Sequence, residues 1–181
     1  LWAVVLIAIF SIQATNNEQG HTIEFEIKNY ANTQMIVAYH QGDKQYISDT
    51  LTATKPGFFT MSGDEELTPG MYIAFFPSIG KSFEFLVNRG EQHFKLSTDT
   101  QNFVPAMQVK GSPENKLFFG YLNYLTEQRT ERTGMTKLLE ELKKDEAANE
   151  SKINDLEAEI KKLDEVVIKY QKDLIQNNPN S

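Results

Sequence analysis

From His21 to about Gly111 the apolar residues fall on every second position. TIEFEIKN alternates at Ile23, Phe25 and Ile27, KSFEFLVN at Phe83, Phe85 and Val87, and QHFKLST sets Phe94 and Leu96 on one side. Successive side chains of an extended backbone point to opposite faces, so a period of two reads as half-buried strands. Turn residues separate the runs at Gln41 to Asp43, Pro56-Gly57, Gly63-Asp64, Pro69-Gly70, Ser78 to Gly80 and Asn88 to Gly90. Glycine supplies positive φ there and proline presets the first turn position. The spacing predicts short strands near residues 22–29, 33–40, 45–53, 57–62, 71–76, 82–88, 92–98 and 106–110. With no helix inserted for parallel crossovers, these strands suit an antiparallel β-sandwich or a small open barrel. Phe25, Phe58, Phe59, Phe75, Phe76, Phe83, Phe85 and Phe94 are available to fill its interior.

At GSPENKLFFGYL the period changes. Ser112 is a good N-cap, Pro113 suits the first helical position, and Glu114 places negative charge at the positive end of the helix dipole. A capping box would put Glu or Gln at position 115, where this chain has Asn115. Further on, Ile153, Leu156, Ile160, Leu163, Val167, Tyr170 and Leu174 step by three and four, an a/d seam. Leu117, Tyr121, Leu125, Met135, Leu139 and Leu142 make an earlier stripe, interrupted at Gln128 and Arg132. Folding the chain back within KKDEAANES sets Leu142 opposite Ile153, Leu139 opposite Leu156 and Met135 opposite Ile160, although no Gly or Pro marks a turn. The alternative is one helix of about 60 residues, roughly 90 Å long, whose seam needs another chain. The hairpin is the favoured reading, and the fold class expected is α+β, an antiparallel β-sandwich or small open barrel followed by a charged helical hairpin. Glu157 and Lys161 stand at i,i+4 on its surface, spaced for an ion pair.

The first twelve residues, Leu1 to Ile12, are apolar save Ser11, and polar residues follow from Gln13. A spanning helix needs about 20 apolar residues, and this run is shorter. It is similar to the apolar core of a secretory signal, with Ala14 as a tolerable cleavage position and a charged start expected upstream. A core strand or a longer span cut short are the alternatives. The expected organisation is a signal peptide or N-terminal anchor over residues 1–19, a β-sandwich domain over 20–111, and a helical hairpin or linker over 112–181 that continues beyond Ser181. No cysteine follows the apolar run, so a lipoprotein signal is unsupported. The compartment expected is the periplasm or cell envelope.

Charge and chemistry narrow the functional classes. The net charge of -7 and the lack of a long basic run argue against nucleic acid. The 181 residues contain no cysteine, which removes disulfides, thiolate nucleophiles and cysteine-bound metals. His21, His40 and His93 lie far apart without a second ligand at a familiar spacing, and read as strand surface residues. Asp64, Glu65 and Glu66 are adjacent carboxylates in a turn, whereas general acid and base catalysis needs carboxylates held across a pocket in contrasting surroundings. No G-x-S-x-G elbow is present, and SIGKS at Ser78 to Ser82 lacks the phosphate-loop spacing. No catalytic, cofactor-binding or metal-binding residue is therefore assigned, and membrane contact is expected only through the N-terminal apolar segment. The mixed charge of the helices suits a solvated surface rather than a membrane-lying one.

The order of short motifs carries a resemblance. GDKQYISDTL, PGFFTMSGDEELTPGMYIAFFP, FEFLVNRGEQHFKLSTD and MQVKGSPENKLFFGYL follow one another over about residues 21–125. The stretch resembles the N-terminal β-rich domain of unknown function that precedes thioredoxin-like domains in bacterial envelope proteins of the thiol:disulfide interchange type. The matching positions include Lys44, Asp49-Thr50, Gly57 with Phe59, Gly63, Leu67, Pro69-Gly70 and Tyr72. They continue through Phe83 to Val87, Thr98-Asp99 and Gly111-Ser112 with Glu114-Asn115. The redox activity of such proteins belongs to a C-x-x-C pair in the thioredoxin fold, and this chain has no cysteine to match it. The resemblance implies a non-catalytic accessory module that positions, or recruits partners to, a thioredoxin-like domain of a longer chain. Two other classes stand beside it. A self-contained envelope module for a peptide, glycan or lipid predicts a pocket with exposed rings among Tyr39, Tyr46, Tyr72 and Phe76. A structural coiled-coil protein predicts association through residues 112–181.

Overall fold

The period-two runs fold as eight strands: β1 (His21–Lys28), β2 (Gln34–Gln41), β3 (Lys44–Thr52), β4 (Phe58–Gly63), β5 (Gly70–Phe76), β6 (Lys81–Val87), β7 (His93–Asp99) and β8 (Gln108–Lys110). The structure, a computed structural model, describes residues 19–179, so the signal or anchor expected at the N-terminus, with Ala14, lies outside the described residues. The strands form two four-stranded sheets, in the orders β4-β1-β7-β8 (sheet A) and β3-β2-β5-β6 (sheet B), with no closed barrel. All neighbours are antiparallel except β1 and β7, which run parallel from Thr22 beside His93 to Lys28 beside Asp99. The expected antiparallel sandwich is present, with this parallel pair as an exception that alternation did not announce. A parallel neighbour needs a long crossover, usually a helix, and here the intervening strands serve as that crossover.

Most of the residues expected inside are there. Ile23, Phe25, Val37, Phe76, Phe85 and Leu96 are almost fully buried, and Phe25 meets Phe85 edge-on across the sandwich at 5.4 Å. Two of the phenylalanines proposed for the interior point outward instead. Phe58 and Phe75 precede Phe59 and Phe76, and alternation allows only one of two adjacent side chains to face inward. Phe103 and Phe119 complete the packing, each with its ring against Phe83.

The start of the first helix, α1 (Pro113–Leu142), is tied to the sandwich by a small polar cluster. Gly111 has φ +88°, and a Cβ there would lie 2.8 Å from the His93 carbonyl oxygen, so no other residue fits the approach. Ser112 Oγ accepts from the Asn115 backbone N–H at 3.0 Å and donates to Glu91 at 2.5 Å. The Glu91 carboxylate also accepts from the Glu114 N–H at 3.2 Å. Glu91, in the connection between β6 and β7, thus brings to the helix terminus the carboxylate that a capping box would supply from position 115.

Asn115 is thereby free for another task. Its side chain is 0% exposed, accepts from the Leu86 N–H at 2.8 Å and donates to the Leu86 carbonyl at 2.6 Å. β6 is an edge of sheet B, and a side-chain amide offers the same donor and acceptor as a neighbouring strand.

Residues 113–177 are helical throughout, broken only by a tight turn at Lys143–Asp145 before α2 (Glu146–Asn177). The chain folds back at that turn. Tyr124 and Tyr121 stack on Tyr170 at 4.0 and 6.4 Å, and Gln171 donates to the Tyr121 hydroxyl at 2.8 Å. Arg132, which interrupts the apolar stripe, makes two hydrogen bonds to Asp164 at 2.9 and 3.3 Å. The reversal needs no Gly or Pro. Asp145 leaves helical geometry at φ -137° and accepts from the Ala148 N–H, while Asn149 donates to the Leu142 and Asp145 carbonyls. One pairing differs from the sequence expectation: Glu157 bonds Lys143 across the hairpin at 2.7 Å rather than Lys161 along α2, because the fold-back brings Lys143 alongside it.

Replacing Asn115 by alanine strands the Leu86 N–H and carbonyl in a poorly hydrated edge. We expect Asn115→Ala to lower the unfolding free energy by about 2–4 kcal/mol, measured by urea titration. Loss below about 1 kcal/mol would mean that water satisfies the edge.

Candidate docking face

The outward faces of the two sheets differ. On sheet A, β1 and β7 present Thr22, Glu24, Glu26 and Lys28 beside His93, Lys95, Ser97 and Asp99, all polar. Glu26 and Lys95 form an ion pair of 2.7 Å, and Phe58 at the margin lies under the Lys55 ammonium at 4.0 Å. The hydrogen bond from Lys95 holds the Glu26 carboxyl below the usual carboxylate range, and the same bond pushes the Lys95 ammonium up.

On sheet B the central outward positions are apolar, although Thr50, Ser82 and Glu84 stand among their neighbours. Ile36 stands beside Phe75 and Ala38 beside Ile73 in the β2–β5 pair, and Met71 stands beside Leu86 in the β5–β6 pair. Ile47 on β3, next to Ala38, is 69% exposed. A concavity of about 740 Å³ opens over this face, with Ile36, Ile47, Ile73 and Phe75 among its lining and Phe119 and Leu122 of α1 along one side. His40 Nε2 and Glu84 Oε1 meet at 3.2 Å on the same outward face, and with Gln45 and Ser82 they give the apolar patch a polar margin.

This face was written in the sequence, under a different rule from alternation. Met35 to Tyr39 and Met71 to Phe76 are unbroken apolar runs, the pattern of strands covered on both sides. Of the four rings expected to line a pocket, Tyr46 is 42% exposed and lines the concavity. Tyr39 is half-buried against Tyr46 and Tyr72, at 5.8 Å from each. Tyr72 and Phe76 are core residues; the Tyr72 hydroxyl donates to the Thr68 carbonyl at 2.9 Å, and burial, with Tyr39 beside it, pushes its pKa up. The interior of the sandwich is therefore filled.

The remaining chemical candidates stay apart. His21, His40 and His93 lie on three different strands, and Asp64, Glu65 and Glu66 are exposed in the β4–β5 connection. The Glu65 carbonyl is 2.7 Å from His21 Nδ1, a contact made by the backbone and not by the carboxylate. Among the described residues no group of three or more His, Asp or Glu is placed to hold a metal ion. Among the same residues no helix is long and apolar enough to cross a membrane.

The described fold is a two-sheet sandwich with a helix sealing one edge and an outer face of sheet B that is largely apolar. Residues 21–118 match the family described as Domain of unknown function (DUF4369), and the chain belongs to that family. No curated protein and no solved structure matches it. The matched stretch ends within α1, so it takes in the cluster at Ser112 and Asn115 but not the hairpin.

Two outcomes follow from the contrast between the faces. Ile47→Glu is expected to cut binding of an apolar fluorescent dye severalfold while moving the thermal midpoint by less than about 3 °C, as for other exposed substitutions. Glu26 has a lower pKa folded than unfolded, so its stabilising contribution is present above the unfolded value and fades as pH falls through the folded one. Glu26→Gln should flatten that acid limb in thermal melts across pH and leave stability near neutral slightly reduced.

Proposed function

We propose that this chain is a non-catalytic accessory module of an exported thioredoxin-like thiol:disulfide oxidoreductase, holding the redox domain or its protein partner against the outer face of sheet B. The observation that carries the reading is the pair of strands β2 and β5, apolar on both sides although only one side is covered by the sandwich. Strands of that composition belong between two layers, and an exposed apolar face of this kind marks a protein contact. The redox association rests on the motif order from Lys44 to Asn115 and on nothing in the sheet itself. A chain without cysteine has no thiolate of its own, so the exchange chemistry belongs to the partner domain. The periplasmic or envelope setting rests on the apolar run from Leu1 to Ile12.

A second reading, an envelope module for a small apolar ligand, is favoured by one feature. The concavity of about 740 Å³ lies within the usual size of small-molecule sites, about 300–1,000 Å³. Mass spectrometry of the protein under native conditions separates the two, because a co-purifying small molecule lost on Ile47→Glu would favour the ligand.

The leading proposal is tested in two stages. Coding sequence adjoining this chain should contain a thioredoxin-like domain with a C-x-x-C pair; a reading frame without one removes the redox association. Calorimetric titration of the chain with that domain should then give binding that Ile47→Glu weakens by about tenfold or more. Binding indifferent to that substitution moves the contact off sheet B.

A further inference from the structure

Four strands stand at the margins of the two sheets, and three of them are guarded against another strand. β6 is sealed by Asn115, β8 is three residues long, and β3 is bulged between Ile47 and Asp49. Covering, short length and bulges are the usual guards of a sheet edge. β4 has none of them. It runs six residues, FFTMSG, without charge or proline, and its register against β1 is unbroken from Phe58 to Gly63.

The ladder to β1 decides which backbone groups of β4 are open. The Ile27 N–H donates to the Gly57 carbonyl at 2.7 Å, which makes these two a hydrogen-bonded pair. In an antiparallel ladder such pairs recur at every second position, so Phe59, Met61 and Gly63 turn their N–H and C=O groups toward β1. Thr60 and Ser62 turn both groups to the other side, together with the Phe58 carbonyl. The Phe58 N–H is already taken by the Lys55 carbonyl at 3.1 Å. Phe58, Thr60 and Ser62 are all exposed, so this edge is open among the described residues. A row of unmade backbone donors and acceptors is a template for an added strand.

A second β4, antiparallel about a two-fold axis at Thr60, meets these groups in register. Thr60 of each copy exchanges hydrogen bonds with Thr60 of the other, and each Ser62 N–H reaches the other copy's Phe58 carbonyl. The Ser62 carbonyl is left to water. Phe59 of one copy stands opposite Met61 of the other, and each is 3% exposed in its own sandwich, so inner face continues into inner face. The ends of the strand carry opposite charge. Asp64, Glu65 and Glu66 follow it, whereas Lys55 stands over the Phe58 ring at its start and Lys28 lies just beyond Glu26, the β1 neighbour of Phe58. None of these five makes an ion pair among the described residues. An antiparallel copy sets each acidic turn toward the other copy's lysines, the self-complementary arrangement that an isologous interface requires. An unrelated extended peptide would satisfy the backbone without needing this charge reversal. We propose that β4 is a strand-addition edge on which a second copy of the chain pairs antiparallel, joining two copies of sheet A into one continuous sheet. The inference is independent of the role proposed for sheet B.

Sedimentation equilibrium of the full chain over a wide concentration range tests it, with circular dichroism and thermal melts to show that each variant is folded. The expected result is a reversible dimer. Thr60→Pro removes only the outward N–H, where an edge strand tolerates proline, and should raise the dissociation constant about tenfold or more. Thr60→Lys and Thr60→Glu each set a charge against its own counterpart at the axis and should weaken the dimer by about the same factor. An equimolar mixture of those two variants should associate to within about twofold of the unchanged protein, a recovery that requires residue 60 to meet residue 60. A monomer throughout, a dimer indifferent to all three substitutions, or a mixture no tighter than its components would overturn the proposal.

Discussion

One buried amide fixes the relation between the two halves of this protein. Asn115 offers Leu86 the donor and acceptor of a missing strand, and in doing so pins the first turn of α1 against the open edge of sheet B. Everything around it is arranged so that it can. Gly111 permits the close approach to β7, and Ser112 takes hydrogen bonds from both the backbone and the side chain of Asn115. Glu91 relieves position 115 of the capping duty. One turn later Phe119 reaches the core beside Phe83, so the polar tie and the apolar anchor act on the same short stretch of helix. A helix held at both points leaves the sandwich in a defined direction, which is what an appendage needs if it is to present a surface.

With β6 covered, the other margin of sheet B is β3, and it is protected differently. A bulge opposite Val37 and Ala38 breaks its register, and the Asp49 carboxylate accepts the Thr50 N–H at 2.6 Å. Irregularity of this kind discourages a foreign strand from adding to the edge. The outer face of the same sheet has no such protection. Sheet A, built by the same alternation, ends in charged and hydroxyl side chains, so the greasiness of sheet B is a property of particular residues and not of the fold.

Much of the architecture could be read from the order of residues. Strand positions follow from alternation and turn residues to within about two positions, the usual uncertainty of such boundaries. The start of α1 follows from Ser112 and Pro113, and the fold-back within KKDEAANES follows from the two apolar stripes. What escaped was long-range or mediated by side chains. Nothing local announces that β1 lies parallel to β7, since each alternates just as it would beside an antiparallel neighbour. Asp145 and Asn149 make a helix reversal without Gly or Pro, and the seam pattern treats Asn149 only as a flaw. Asn115 looked like a failed capping box because its partner, Leu86, is 29 residues away. The candidate rings were half legible: composition identified Tyr46 as available, but only the register of β2 and β5 puts Tyr72 inside and Phe75 outside.

The pairing of β1 with β7 has a consequence in time. The hairpins β2–β3 and β5–β6 join neighbours in the chain and need only short loops to close. β1 waits for a partner some 70 residues downstream, and such non-local contacts are slow to form because loop closure must precede them. Sheet B can therefore acquire its order while sheet A is still one strand short, and a chain emerging from its N-terminus holds β1 unpaired on one side until His93 to Asp99 arrive. The helix that seals β6 follows directly after, so the segment from His93 to Phe119 both completes sheet A and covers the open edge of sheet B.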